Sequence, residues 1–147
     1  MTTAADITAI IVAAINLAAA LLGAWAWRRN EPSRAFWILA RAGQFGATAL
    51  AALAVVLLVT GYEAGSNLLY LYLLLPIVVS IVAEQLRIAS AQTVLDVNDL
   101  EDAQAVGRLP EEEQQAVVMA IIRREIGVMA LGALVIAFLA LRVLGTT

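Results

Sequence analysis

Few residues in this chain can do more than pack, and five of those few sit inside otherwise apolar runs. Arg41, Gln44 and Thr48 recur at i, i+3 and i+7, which puts them on one face of a helix. Glu84 and Asn16 lie in two further apolar runs. In hydrocarbon an ionisable side chain costs roughly 2.5–3.5 kcal/mol on insertion scales, so it needs a partner or a task. Three chemistries fit the pattern. One is an ion pair between Arg41 and Glu84 on neighbouring helices. The second is hydrogen-bonding glue between helices, worth about 0.6 kcal/mol per bond. The third is a wet path lined by Asn16, Gln44, Thr48 and the charged pair. Two simpler arrangements compete with these: Arg87, at i+3, can take Glu84 on its own helix, or each charge can snorkel to the nearer interface.

Other chemistries are excluded by residue type. There is no Cys, so no disulfide, thiolate metal site or cysteine nucleophile is available. There is no His, which removes the usual neutral-pH acid/base and the commonest transition-metal ligand. The net charge of −3 gives no basic face for a nucleic-acid partner. The acidic cluster Asp96, Asp99, Glu101 and Asp102 lacks the spacing of an EF-hand loop, with Leu100 at the fifth position and Gly107 at the twelfth, and reads as a solvated turn with helix caps. With no nucleophile–base pair, phosphate loop, metal set or cofactor motif, no enzyme and no cofactor are expected.

The elements that position the five residues follow from composition. The chain has 147 residues, 63% apolar and 14% charged, with a mean hydropathy of +0.89. A soluble domain is about 45–50% apolar and about 25% charged. About 20 apolar helical residues cross a hydrocarbon core of ~30 Å. Four runs qualify: residues 7–27, 35–61, 67–86 and 126–144. No run keeps a period of two, which argues against barrel strands. The expectation is an all-α integral membrane protein: one domain, four transmembrane helices in an antiparallel bundle, and a cytoplasmic helical extension between helices 3 and 4. Arg41 would lie ~9 Å inside the second span, and Glu84 at similar depth in the third.

The arginines give the orientation. Arg28, Arg29 and Arg34 follow the first run, and Arg87, Arg108, Arg123 and Arg124 lie between the third and fourth. The N-terminal tail and the loop 62–67 carry none. By the positive-inside rule both termini lie outside. Asp6 and the absence of a basic n-region argue against a cleaved leader. Arg142 dissents and is expected to snorkel to the outer interface. Trp25, Trp27, Phe36 and Trp37 are expected at the inner interface, and Tyr62, Tyr70 and Tyr72 toward the outer one. All nine basic residues are Arg, beside abundant Ala, a composition of GC-rich bacterial genomes. The expected location is therefore the bacterial cytoplasmic membrane.

Residues 87–125 are expected to form a cytoplasmic helical hairpin. Glu84, Ile88, Ala91 and Leu95 read as one inward stripe continuing the third helix. Asn98 or Asp99 is expected to cap a short helix that Gly107 ends. Pro110 and Glu111, Glu112 and Glu113 open a further helix, with the carboxylates at the positive end of its dipole. Gly127 alone does not break it, so one helix of ~50 Å is expected from Pro110 to Leu144. Small residues punctuate the spans: Ala13, Ala20 and Ala24; Gly43, Ala47 and Ala51; Ala133 and Ala137. They allow close helix approach. Pro76 is expected to kink the third span. These features point to a structural or interaction module, assembling with itself or with a membrane-protein partner through the hairpin. The alternative is an oligomeric channel or transporter subunit using the polar path.

Overall fold

The computed structural model describes residues 2–63 and 67–146. Its elements are α1 (Thr2–Arg29), α2 (Arg34–Val59), α3 (Leu68–Val97), the single turn α4 (Ala103–Val106) and α5 (Glu111–Val143). There is no strand among the described residues. Helices α1, α2, α3 and α5 are each long and apolar enough to cross a membrane. Of the loop 62–67, residues 64–66 lie outside the described ones, Ser66 among them.

Helix starts follow local chemistry. The Ser33 hydroxyl accepts from the Phe36 N–H at 3.1 Å and caps α2. Pro110 precedes α5, whose first turn holds Glu111, Glu112 and Glu113. From there α5 runs unbroken for 33 residues. The short helix α4 is capped by Asp102, whose carboxylate accepts from Ala105 N–H at 3.0 Å. That corrects the expected cap at Asn98 or Asp99, because these two residues close the C-terminus of α3 instead: Asn98 is its C-cap and Asp99 takes a positive φ. Gly107 follows α4 as its C-cap.

Three helices end in the same way. Asn30, Gly61 and Asp99 take φ of 54°, 73° and 58°. The next N–H then reaches back five residues: Glu31 to Ala26 O at 3.1 Å, Tyr62 to Leu57 O at 3.0 Å, and Leu100 to Leu95 O at 2.9 Å. This closure satisfies carbonyls that a helix end leaves open.

Packing makes a ring. Helix α5 lies against α1 and α3, α2 lies against the same two, and α2 barely meets α5. One apolar cluster joins Ala5, Ala9 and Val12 of α1 to Leu50, Ala54 and Leu57 of α2, Leu69 and Leu73 of α3, and Ile136, Ala140 and Val143 of α5. A second joins Ala19, Ala20 and Ala26, Phe36 and Ala40, Ala83, and Ile126, Met129, Ala130 and Ala133. A third holds the hairpin: Val94 and Leu95, Val106 and Val117, flanked by Leu100, Leu109 and Ile121.

Phe36 is fully buried in the second cluster. A Cβ at Gly23 would lie 2.7 Å from its ring. It is a core residue of the bundle, in the first turn of α2. Tyr62, Tyr70 and Tyr72 pack on the first cluster, where the Tyr70 hydroxyl donates to Tyr62 O at 2.8 Å. The Arg142 guanidinium lies 5.5 Å from the Tyr72 ring centre. Ala24 and Ala51 are not part of the buried core, unlike the other small residues singled out in the spans. Pro76 is buried inside an α3 that continues on both sides of it.

Candidate functional site

Four charges from three helices meet at one level of the bundle. On α2, Trp37, Arg41 and Gln44 follow one another at helical spacing. On α3 the corresponding residues are Ser80, Glu84 and Arg87, and on α5 it is Glu125. Arg41 Nη1 donates to Glu84 Oε1 and also, at 2.6 Å, to Gln44 Oε1. Gln44 Nε2 donates to the same Glu84 oxygen at 2.9 Å. The other oxygen, Oε2, accepts from Arg87 Nε at 3.0 Å. Arg87 Nη1 then stands 3.6 Å from Glu125 Oε1. Both guanidinium groups face the Trp37 ring, at 5.8 Å for Arg41 and 6.0 Å for Arg87.

Signs alternate along this network: Arg41, Glu84, Arg87, Glu125. Two cations and two anions leave it formally neutral, the arrangement that makes charge tolerable away from water. It also ties α2, α3 and α5 together at one height. The expected Arg41–Glu84 pair forms, and the expected competitor Arg87 takes the remaining carboxylate oxygen rather than displacing Arg41. Both oxygens of Glu84 therefore receive donors, which suits a structural acceptor better than a general base. Among the described residues, no three acidic side chains come together to hold a metal ion.

The other polar residues divide. Thr48 Oγ1 donates to Gln44 O at 3.0 Å on its own helix. Asn16 is almost wholly buried. Its Nδ2 donates to Val12 O at 2.9 Å and approaches Gly43 O at 3.5 Å. A Cβ at Gly43 would stand 2.5 Å from Asn16 Oδ1, so the bare glycine is what lets α2 close on this side chain. Asn16 thus joins α1 to α2. It borders an interior cavity of about 10 Å³ together with Gln44 and Ser80. Gln44 also lines, with Arg41, Thr48 and Glu84, an open groove of about 550 Å³ between α2 and α3. Phe45, Ser80, Ile81 and Gln85 complete its wall.

The expected inward stripe of α3 needs one correction. Ile88 is 57% exposed. The covered side runs through Ala83, Glu84, Arg87, Ala91, Val94 and Leu95, so Ile88 falls just beyond its edge. Sequence reasoning missed Glu125, Trp37, Ser80 and Gln85. A signal existed for Glu125: it stands four residues from both Ile121 and Met129, on the apolar stripe of α5. Compared with family models, curated proteins and solved structures, the chain matches none.

Proposed function

We propose that this protein is a multi-pass membrane interaction module that pairs with a second copy of itself. In this reading the four long helices form an antiparallel bundle in the bacterial cytoplasmic membrane, with both termini outside. The hairpin of α3, α4 and α5 is its cytoplasmic face toward a further partner. The reading assigns no catalysis.

The observation that carries it is the groove between α2 and α3. Its rim holds Arg41, 48% exposed on its side chain, and the exposed Thr48 and Gln85. Phe45, 76% exposed, projects beside it. Lipid tails satisfy none of these polar groups, whereas a second protein surface can. A residue that protrudes next to a recess is self-complementary under a two-fold axis, with each copy's Phe45 seated against the other's groove. In membranes, Phe45→Cys is expected to crosslink between copies, and Phe45→Ala to shift the purified protein from dimer toward monomer in light scattering. A monomeric wild-type protein with no crosslink refutes the pairing.

The same lining favours one second reading, a permeation path enclosed by several copies. Arg41, Gln44, Thr48, Ser80, Glu84 and Gln85 would then face a common lumen. Ion flux in proteoliposomes that disappears with Gln44→Leu supports permeation. A crosslinked assembly without flux supports the module.

A further inference from the structure

A second groove, on a different helix pair, has the opposite character. It lies between α1 and α5, has a volume of about 500 Å³, and is lined by Ala20, Ala24, Trp27, Arg124, Gly127 and Leu131 among others. Small side chains make the recess, since Ala20 and Ala24 leave the α1 side low. Gly127 lets the Trp27 indole lie close, because a Cβ there would stand 3.1 Å from Trp27 Cδ1. Leu131, 64% exposed, forms the far wall.

The mouth of this groove is cationic. Arg123 Nε donates to Trp27 O at 3.1 Å, and its guanidinium lies 4.3 Å from the Trp27 ring centre. This contact holds Arg123 and Arg124 against the last turn of α1, which carries Arg28 and Arg29. Arg29 in turn covers the Trp25 ring at 4.4 Å. Among the described residues, none of these four arginines is in an ion pair, whereas Arg41 and Arg87 both are. The chain therefore gathers uncompensated positive charge at one end of an apolar slot at membrane depth.

We propose that this groove is a binding site for one anionic phospholipid. An acyl chain lies along Ala20, Ala24, Gly127 and Leu131, and the phosphate sits at the mouth with Arg124 and Arg28. Charge complementarity selects the headgroup, because each nearby Arg favours an anionic lipid while a zwitterionic headgroup largely cancels the attraction. The apolar slot selects a lipid over a free anion. Indole and guanidinium groups together are at home at this depth. The site is independent of pairing through α2 and α3, so the failure of either proposal leaves the other standing.

The test is native mass spectrometry of the full chain. It is released from detergent after equilibration with equimolar phosphatidylglycerol and phosphatidylcholine of the same acyl chains. One phosphatidylglycerol per protomer is expected to be retained about tenfold over phosphatidylcholine. Arg28→Gln with Arg124→Gln should remove most of that preference, Arg124→Gln alone should lower it, and Arg108→Gln, the same single-charge change in the hairpin, should leave it intact. Ala24→Leu, at an exposed position that tolerates bulk, should lower retention of both lipids while circular dichroism and elution stay unchanged. Glycerol 3-phosphate at equal concentration should displace neither. Equal retention of the two lipids, a preference that survives the double arginine change, or displacement by glycerol 3-phosphate overturns the proposal. So does a full-length partner protein found in the groove.

Discussion

Glu84 accepts from Arg41 and Gln44 on one oxygen and from Arg87 on the other, so its removal takes the carboxylate partner from Arg41 and leaves Arg87 with Glu125 alone. Removing Arg41 leaves Glu84 with two donors. The two halves of the pair are therefore unequal. Glu84→Leu is expected to destabilise by about 3 kcal/mol, in the range for breaking a covered ion pair. Arg41→Leu, at a half-exposed position, is expected to cost about 1 kcal/mol. The double change should cost less than the sum, because each single change leaves a charge behind. Chemical unfolding in detergent micelles measures all three, and strict additivity would show that the two side chains do not meet in solution. The pair itself was legible from sequence, because reading the second and third apolar runs as consecutive spans puts Arg41 and Glu84 at a similar distance from the same end. Glu125 was legible only through its spacing from Ile121 and Met129, and Trp37 was not, since it stands where a span gives way to its flank and composition stops saying which way a side chain faces.

Among the elements, the long helices were readable as apolar runs, and their extents were read less well. Helix α1 starts at Thr2 rather than near Ile7, because no Gly or Pro interrupts the polar residues before it. Helix α3 runs past residue 86 to Val97 for the same reason. Hydropathy marks where lipid would begin, whereas a helix ends only where the backbone turns, here at Asn30, Gly61 and Asp99. The hairpin is an element with its own core, separate from the two clusters of the bundle. Val117→Asp places a charge among Val94, Leu95 and Val106. It is expected to raise amide exchange over residues 94–97 and 111–117 by about tenfold or more. Exchange within 36–57 should not change. Equal exchange in the hairpin of wild type and variant would mean that the cluster does not hold it.

For the whole molecule, the expected orientation rests on seven arginines on one side and none in the short segments of the other. The chain has no native cysteine, so single introduced ones report cleanly. Glu63→Cys should react with an impermeant maleimide in intact cells, and Asn98→Cys only after permeabilisation; the reverse pattern inverts the assignment. The charge network also has a consequence for biogenesis. Arg41 and Glu84 are 43 residues apart. At a synthesis rate of about 5–20 residues per second, α2 precedes its counter-ion by roughly 2–9 s. Until α3 arrives, α2 carries an unneutralised guanidinium into the insertion machinery, whereas Arg87 emerges three residues after Glu84 and finds that carboxylate on its own helix. A chain stopped after Val59 should be stripped from membranes by alkaline carbonate more readily than one stopped after Val97, and Arg41→Leu should erase much of that difference. In the proposed membrane reading, α2 thus waits for α3 to complete its electrostatics, and Glu125 of α5 closes the network last.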